Sequence, residues 1–118
     1  MRKKIDIHNW DRRHELTLAR LTNNNRISDI NRRAILEFVD ECKANNLSIA
    51  RRVEYLYTLP ILAERLGKNF ESATVDDIND DKSYADWTKN DFRVALKRFY
   101  RWLRKLPIGQ SPPETSWI

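Results

Sequence analysis

The stretch from Trp87 to Leu106 does most to constrain what this chain can fold into. Wound at about 100° per residue, Phe92, Leu96, Phe99, Leu103 and Leu106 fall within one narrow sector, with Ala95 and Trp102 beside it. Arg93, Lys97, Arg101 and Arg104 stack on the other side at spacings of four, four and three. One face therefore needs a core, and the other carries a ladder of cations. Seven Lys/Arg residues stand in this stretch against a single acid, Asp91. Thr88 can cap the start, with Asp91 as the return arm of a short capping box. The basic end suits the negative pole of the helix macrodipole. Most charged helix faces are merely solvated, but acids and bases usually alternate along them. Here they do not, and an anionic partner is the better reading. DNA fits, because each phosphate contact releases counterions.

The rest of the chain offers helices to receive that stripe. Its 118 residues make one domain by length, and only two glycines and four prolines interrupt it. No β-branched run is present. The formal charge of +5 favours nucleic acid or an acidic surface. No apolar run approaches the ~20 residues of a membrane span, and no signal-peptide apolar region is seen at the N-terminus. A lone cysteine, Cys42, cannot form an internal disulfide and fits a reducing cytoplasm. It lies on the apolar arc of its helix, where a packing thiol is expected rather than a nucleophile.

In chain order, residues 1–8 read as a mobile basic tail that includes Arg2, Lys3 and Lys4. A first helix is expected from about Asn9, with Trp10, His14, Leu18 and Leu21 on one face. His14 reads as a packed or partly exposed histidine rather than a ligand. Asn23-Asn24-Asn25 reads as a turn. Ser28 caps a second helix to about Asn45, with Ile30, Ala34, Ile35, Phe38, Val39 and Cys42 over half its circumference. That breadth makes it the expected most buried helix. Ser48 caps a third, lined inside by Ile49, Val53, Leu56, Ala63 and Leu66, and ended by Gly67. Pro60 inside it predicts a kink or a break. Thr74 to Asp77 is a capping box with room for about one turn, inside an acidic patch running to Asp81 that should point away from DNA. Residues 107–118, with Pro107, Pro112 and Pro113, read as a linker.

No catalytic set is visible. The sequence has no Gly-rich phosphate loop, no metal-ligand spacing and no nucleophile–base pair. Two histidines and one cysteine are too few for zinc, and His8 and His14 fall on opposing sides of a helix. By residue types the chain is a binding module, with no cofactor and no small-molecule substrate.

Two half-motifs then become legible. Leu47-Ser48-x-x-Arg51-x-x-x-Tyr55-x-x-x-Leu59 followed by Leu62-x-x-x-Leu66-Gly67 resembles the second-helix pattern of the core-binding, SAM-like domain of tyrosine recombinases. Trp87-Thr88-x-x-Asp91-Phe92-x-x-x-Leu96-x-x-Phe99-x-x-Trp102-Leu103 is similar to that domain's closing helix. The closest flavour is the archaeal phage-integrase type, and Pro113-Glu114-x-Ser116-Trp117-Ile118 resembles its join to the catalytic domain. The resemblance runs from about Trp10 onward. It departs at the short acidic interval before Trp87 and at Pro60, where the group keeps an ordinary helix former.

The resemblance implies an all-α, four- or five-helix orthogonal bundle over residues 1–106, forming one half of a clamp on double-stranded DNA. By position, Arg51, Arg52 and Tyr55 would face DNA from one helix. Thr88, Lys89, Asn90, Arg93 and Lys97 would do so from the other, with Arg101 further along it. The family's catalytic residues lie in a following domain, so Tyr55, Tyr57, Tyr84 and Tyr100 are not read as nucleophiles and this chain is not read as an enzyme. Other recombinase subunits on DNA are the implied protein partners. Two alternatives stay open: a bundle whose basic face meets an acidic protein, and a stand-alone regulator competing for recombinase sites.

Overall fold

The second and third helices start and stop where local chemistry asks them to. The computed structural model describes residues 9–74, Asp77 and 90–106, with the backbone alone for 90–93. Its helices are α1 (Trp10–Asn23), α2 (Asp29–Ala44), α3 (Ile49–Leu66) and α4 (Asn90–Leu103), with one 3₁₀ turn at Phe70–Ser72. Among the described residues there is no strand. This is a small all-helical bundle.

Ser28 and Ser48 cap α2 and α3 as their types suggest. Ser28 Oγ accepts from the Asn31 N–H at 3.1 Å, and Ser48 Oγ from the Arg51 N–H at 3.2 Å. Asn46 ends α2 in the left-handed region, at φ 64°, while Leu47 N–H donates back to Cys42 O at 2.9 Å. Gly67 ends α3 at φ 62°, a conformation that needs no Cβ. Lys105 closes α4 in the same way at φ 55°, the helix ending at Leu103, three residues short of the expected limit at Leu106. Thr74 and Asp77 form the expected reciprocal box: Thr74 N–H donates to Asp77 Oδ2 at 2.7 Å and Asp77 N–H to Thr74 Oγ1 at 3.2 Å. The rest of the acidic interval, through Trp87, lies outside the described residues, as do the basic tail and the linker.

The helix at the centre is α3, not α2. Eight residues of α3 are buried against five of α2, and α3 packs on α1, α2 and α4 in turn. Sequence periodicity offered one inner side for α3. A helix with neighbours on both flanks buries two, which is why Tyr55, Leu59 and Leu62 are also inside. The expectation that Tyr55 faces DNA is corrected here: it is 1 % exposed and its ring lies 5.2 Å from that of Phe38. Ile30, by contrast, was expected on the apolar arc of α2 and is 59 % exposed in the first turn.

Pro60 does not break α3, which runs unbroken through it. The proline removes one backbone donor, but its ring is buried, where its apolar surface is useful. Two residues earlier, Thr58 Oγ1 donates to Glu54 O at 3.0 Å.

An aromatic cluster ties α4 to this frame. Phe99 lies 5.4 Å from Phe38 and 4.6 Å from Phe70, both near edge-on, and 5.9 Å from Trp102. Such geometry sets the positive ring edge against the negative face, beyond simple area burial. Tyr100, fully buried, donates to Phe70 O at 3.3 Å. Cys42 is buried as expected, and desolvation pushes its thiol up to about 11.

Candidate nucleic-acid interface

The site grows from the start of α3. Arg51 and Arg52 occupy its first turn, which contains no acid. Two cations there oppose the positive pole of the helix dipole, at a cost of about 0.3–1 kcal/mol each unless an anion joins them. Other elements bring more basic groups to the same end. Lys43, in the last turn of α2, and His14, on α1, line one small cavity with Arg52. Arg98 of α4 donates from Nη1 to Tyr55 Oη at 3.3 Å. The field of Arg98 and that of Arg52 both reach the Cys42 thiol.

Tyr55 therefore serves the patch from inside. Its burial raises the phenol pKa, and the Arg98 and Arg51 guanidiniums act against that rise. It stays a neutral acceptor that steadies Arg98 at the surface. Among the described residues no carboxylate forms an ion pair with Lys43, Arg51, Arg52 or Arg98.

Of the residues singled out in the sequence, the structure gathers Arg51 and Arg52 at this end with Tyr55 beneath them. Lys97 is half-buried, and no hydrogen bond or ion pair joins it to α3. Arg101 lines a separate groove of about 620 Å³ with Ile30, Arg33 and Glu71. Thr88 and Lys89 lie outside the described residues, and so do the side chains of Asn90 and Arg93. Arg98 and Lys43 were missed, and His14 was read as a packed or partly exposed histidine rather than as part of a site. Arg98 stands one residue after Lys97, about 100° further round α4 and off the counted ladder. Only its approach to Tyr55 reveals it. Lys43 carried no periodic signal, and the place of His14 on the apolar stripe of α1 pointed to packing.

Larger grooves lie elsewhere among the described residues. The one between α1 and α3, about 500 Å³, is lined by Trp10, Arg13, Leu16, Arg20, Val53 and Tyr57, with Leu16 and Tyr57 well exposed. Arg13 stacks over Trp10, 4.8 Å from the ring centroid. Among the described residues no group of three or more His, Cys, Asp or Glu is placed to hold a metal ion, and no helix is long and apolar enough to cross a membrane. No protein-family model, curated protein or solved structure matches the chain.

Proposed function

We propose that this chain is a double-stranded DNA-binding module, the core-binding domain of a site-specific tyrosine recombinase of the integrase type, which grips DNA without performing strand exchange itself. One observation carries the DNA part: cations from α2, α3 and α4 gather at the start of α3 with no carboxylate among the described residues paired to them. Unneutralised guanidiniums on rigid helices suit a phosphate backbone, where most affinity is electrostatic and independent of sequence. The recombinase assignment rests on the half-motifs around Arg51–Tyr55 and Trp87–Leu103. Tyr55 and Tyr100 are buried and hydrogen-bonded, an arrangement suited to packing rather than nucleophilic attack.

Binding of a random-sequence duplex, followed by fluorescence anisotropy from low to high salt, tests the reading. Affinity should fall linearly with log salt, with a slope of about −0.9 for each phosphate contacted. Absence of binding at low salt would overturn it.

A second reading is favoured by the groove between α1 and α3. Exposed Leu16 and Tyr57 beside Arg13 and Arg20 would suit an acidic amphipathic segment of a partner protein. Retained duplex binding after Leu16→Ser and Tyr57→Ser would separate that surface from the DNA face.

A further inference from the structure

A small cavity of about 100 Å³ opens between α1, α2 and α3, with apolar walls from Leu18 and Leu36. His14 reaches it from α1, Lys43 from α2 and Arg52 from α3, so three basic side chains share it with one acid, Asp40. Both His14 Nε2 and Arg52 Nε are buried without a hydrogen-bond partner. A buried donor left unmatched costs about 1–3 kcal/mol, and more when charged. Bringing like charges together beside an apolar wall adds to that cost. An anion would offset both. The volume is about three times the ~30 Å³ that one water takes up in the liquid, enough for a tetrahedral oxyanion.

We propose that this cavity is a site for one phosphate group, held by Lys43, Arg52 and protonated His14. The occupant, on the DNA-binding reading above on which this choice rests, is a backbone phosphate of the duplex. A tetrahedral phosphate presents oxygens in several directions, as donors converging from three helices require; a planar carboxylate offers two in one plane.

Protonation should accompany binding. Without a ligand the His14 pKa is lowered, first by burial and then by Arg52 and Lys43, while Asp11 and Glu15 on α1 act the other way. Asp40, on the cavity wall, adds a further negative charge from α2. A bound anion reverses the balance, so the imidazole gains a proton as phosphate enters. Affinity should then rise as pH falls.

The experiment follows the His14 imidazole by NMR from pH 5 to 8.5, with His8→Gln used to assign the signal. Three arms are compared: protein alone, with inorganic phosphate, and with a random-sequence duplex. The expected result is a midpoint below 6.5 alone that rises by about one unit with the duplex, making binding about tenfold tighter at the acid end. His14→Gln should flatten that pH profile. Lys43→Gln, and independently Arg52→Gln, should abolish the His14 response in chains that still melt cooperatively. Duplex binding with its salt slope but an unmoved His14 midpoint overturns the site and leaves the DNA reading standing. A midpoint moved by inorganic phosphate in a chain that binds no duplex supports the site, with free phosphate as its source, and overturns the DNA reading. If neither ligand moves the midpoint and no duplex binds, both fall.

Discussion

The two ends of α3 treat their polar groups in opposite ways. Around its C-terminal end several polar side chains find partners within the protein. Asn31 of α2 donates from Nδ2 to Lys68 O at 2.9 Å and accepts the Phe70 N–H on Oδ1 at 2.9 Å. Ser28 Oγ donates to Asn69 Oδ1 at 2.8 Å, and Asn24 Nδ2 to Glu64 Oε1 at 2.9 Å. Arg32 donates from Nε to Leu21 O at 3.2 Å, and also reaches Asn24 O and Asp29. Its guanidinium is consumed in closing the last turn of α1. At the start of α3, by contrast, Lys43, Arg51, Arg52 and Arg98 have no carboxylate partner among the described residues, and Arg98 and Arg51 turn instead to the phenol of Tyr55. An arginine's role is thus decided by what surrounds it. Charge counted along the chain would treat Arg32 and Arg52 alike.

The sharpest way to break this comparison is to neutralise the open end. Replacing Arg51, Arg52 and Arg98 together with Gln should reduce the magnitude of the salt slope for duplex binding by about 2.7, if each meets one phosphate. Melting should change little. The same measurement on Arg93→Ala/Lys97→Ala is the counterpart: a loss near 1.8 would move the DNA face toward the ladder first seen in the sequence. A smaller loss keeps it at the start of α3.

Next in size is the matched end. Asn31→Ala strips partners from Phe70 N–H and Lys68 O, and should destabilise the fold by about 1–3 kcal/mol in urea unfolding while the salt slope stays as it was. A changed slope there would mean that the two ends are not separable. Ser48→Ala tests the boundary between them. Losing the cap on the Arg51 N–H should cost about 1 kcal/mol of stability, with only a slight effect on affinity.

Cys42 gives the smallest effect. Its thiol, raised from 9.0 to about 11 by burial, favours the neutral form in the fold. That contribution is fully present below pH 9.0 and is lost as pH rises through about 11. At pH 8 thiol labelling should therefore be slow in the folded chain and fast in denaturant. Rapid labelling of the native protein would contradict the burial of the α2 inner face.

Much of this was legible beforehand. Ser28, Ser48, Gly67, Asn46 and the Thr74–Asp77 box act locally, through hydrogen bonds within a few residues, so sequence alone places them. The α4 stripe was legible in its middle, at Ala95, Leu96 and Phe99, because 3.6-residue periodicity is also a local property. Tyr55 was misread because periodicity can report that a helix is amphipathic, but not that a second neighbour covers its other flank. Arg98 was missed for a related reason. It stands off the regular ladder, and only packing of α4 on α3 brings it to Tyr55.

What the sequence alone determined, then, is a set of capped amphipathic helices carrying an excess of positive charge. Which cations are matched, which phenol turns inward and which three bases share one cavity were decided only when α3 took the centre. The decisive ones join residues about 40 positions apart, Tyr55 with Arg98 and Asn31 with Phe70. No spacing rule reaches that far, because at that separation it is shape and burial that choose the neighbours.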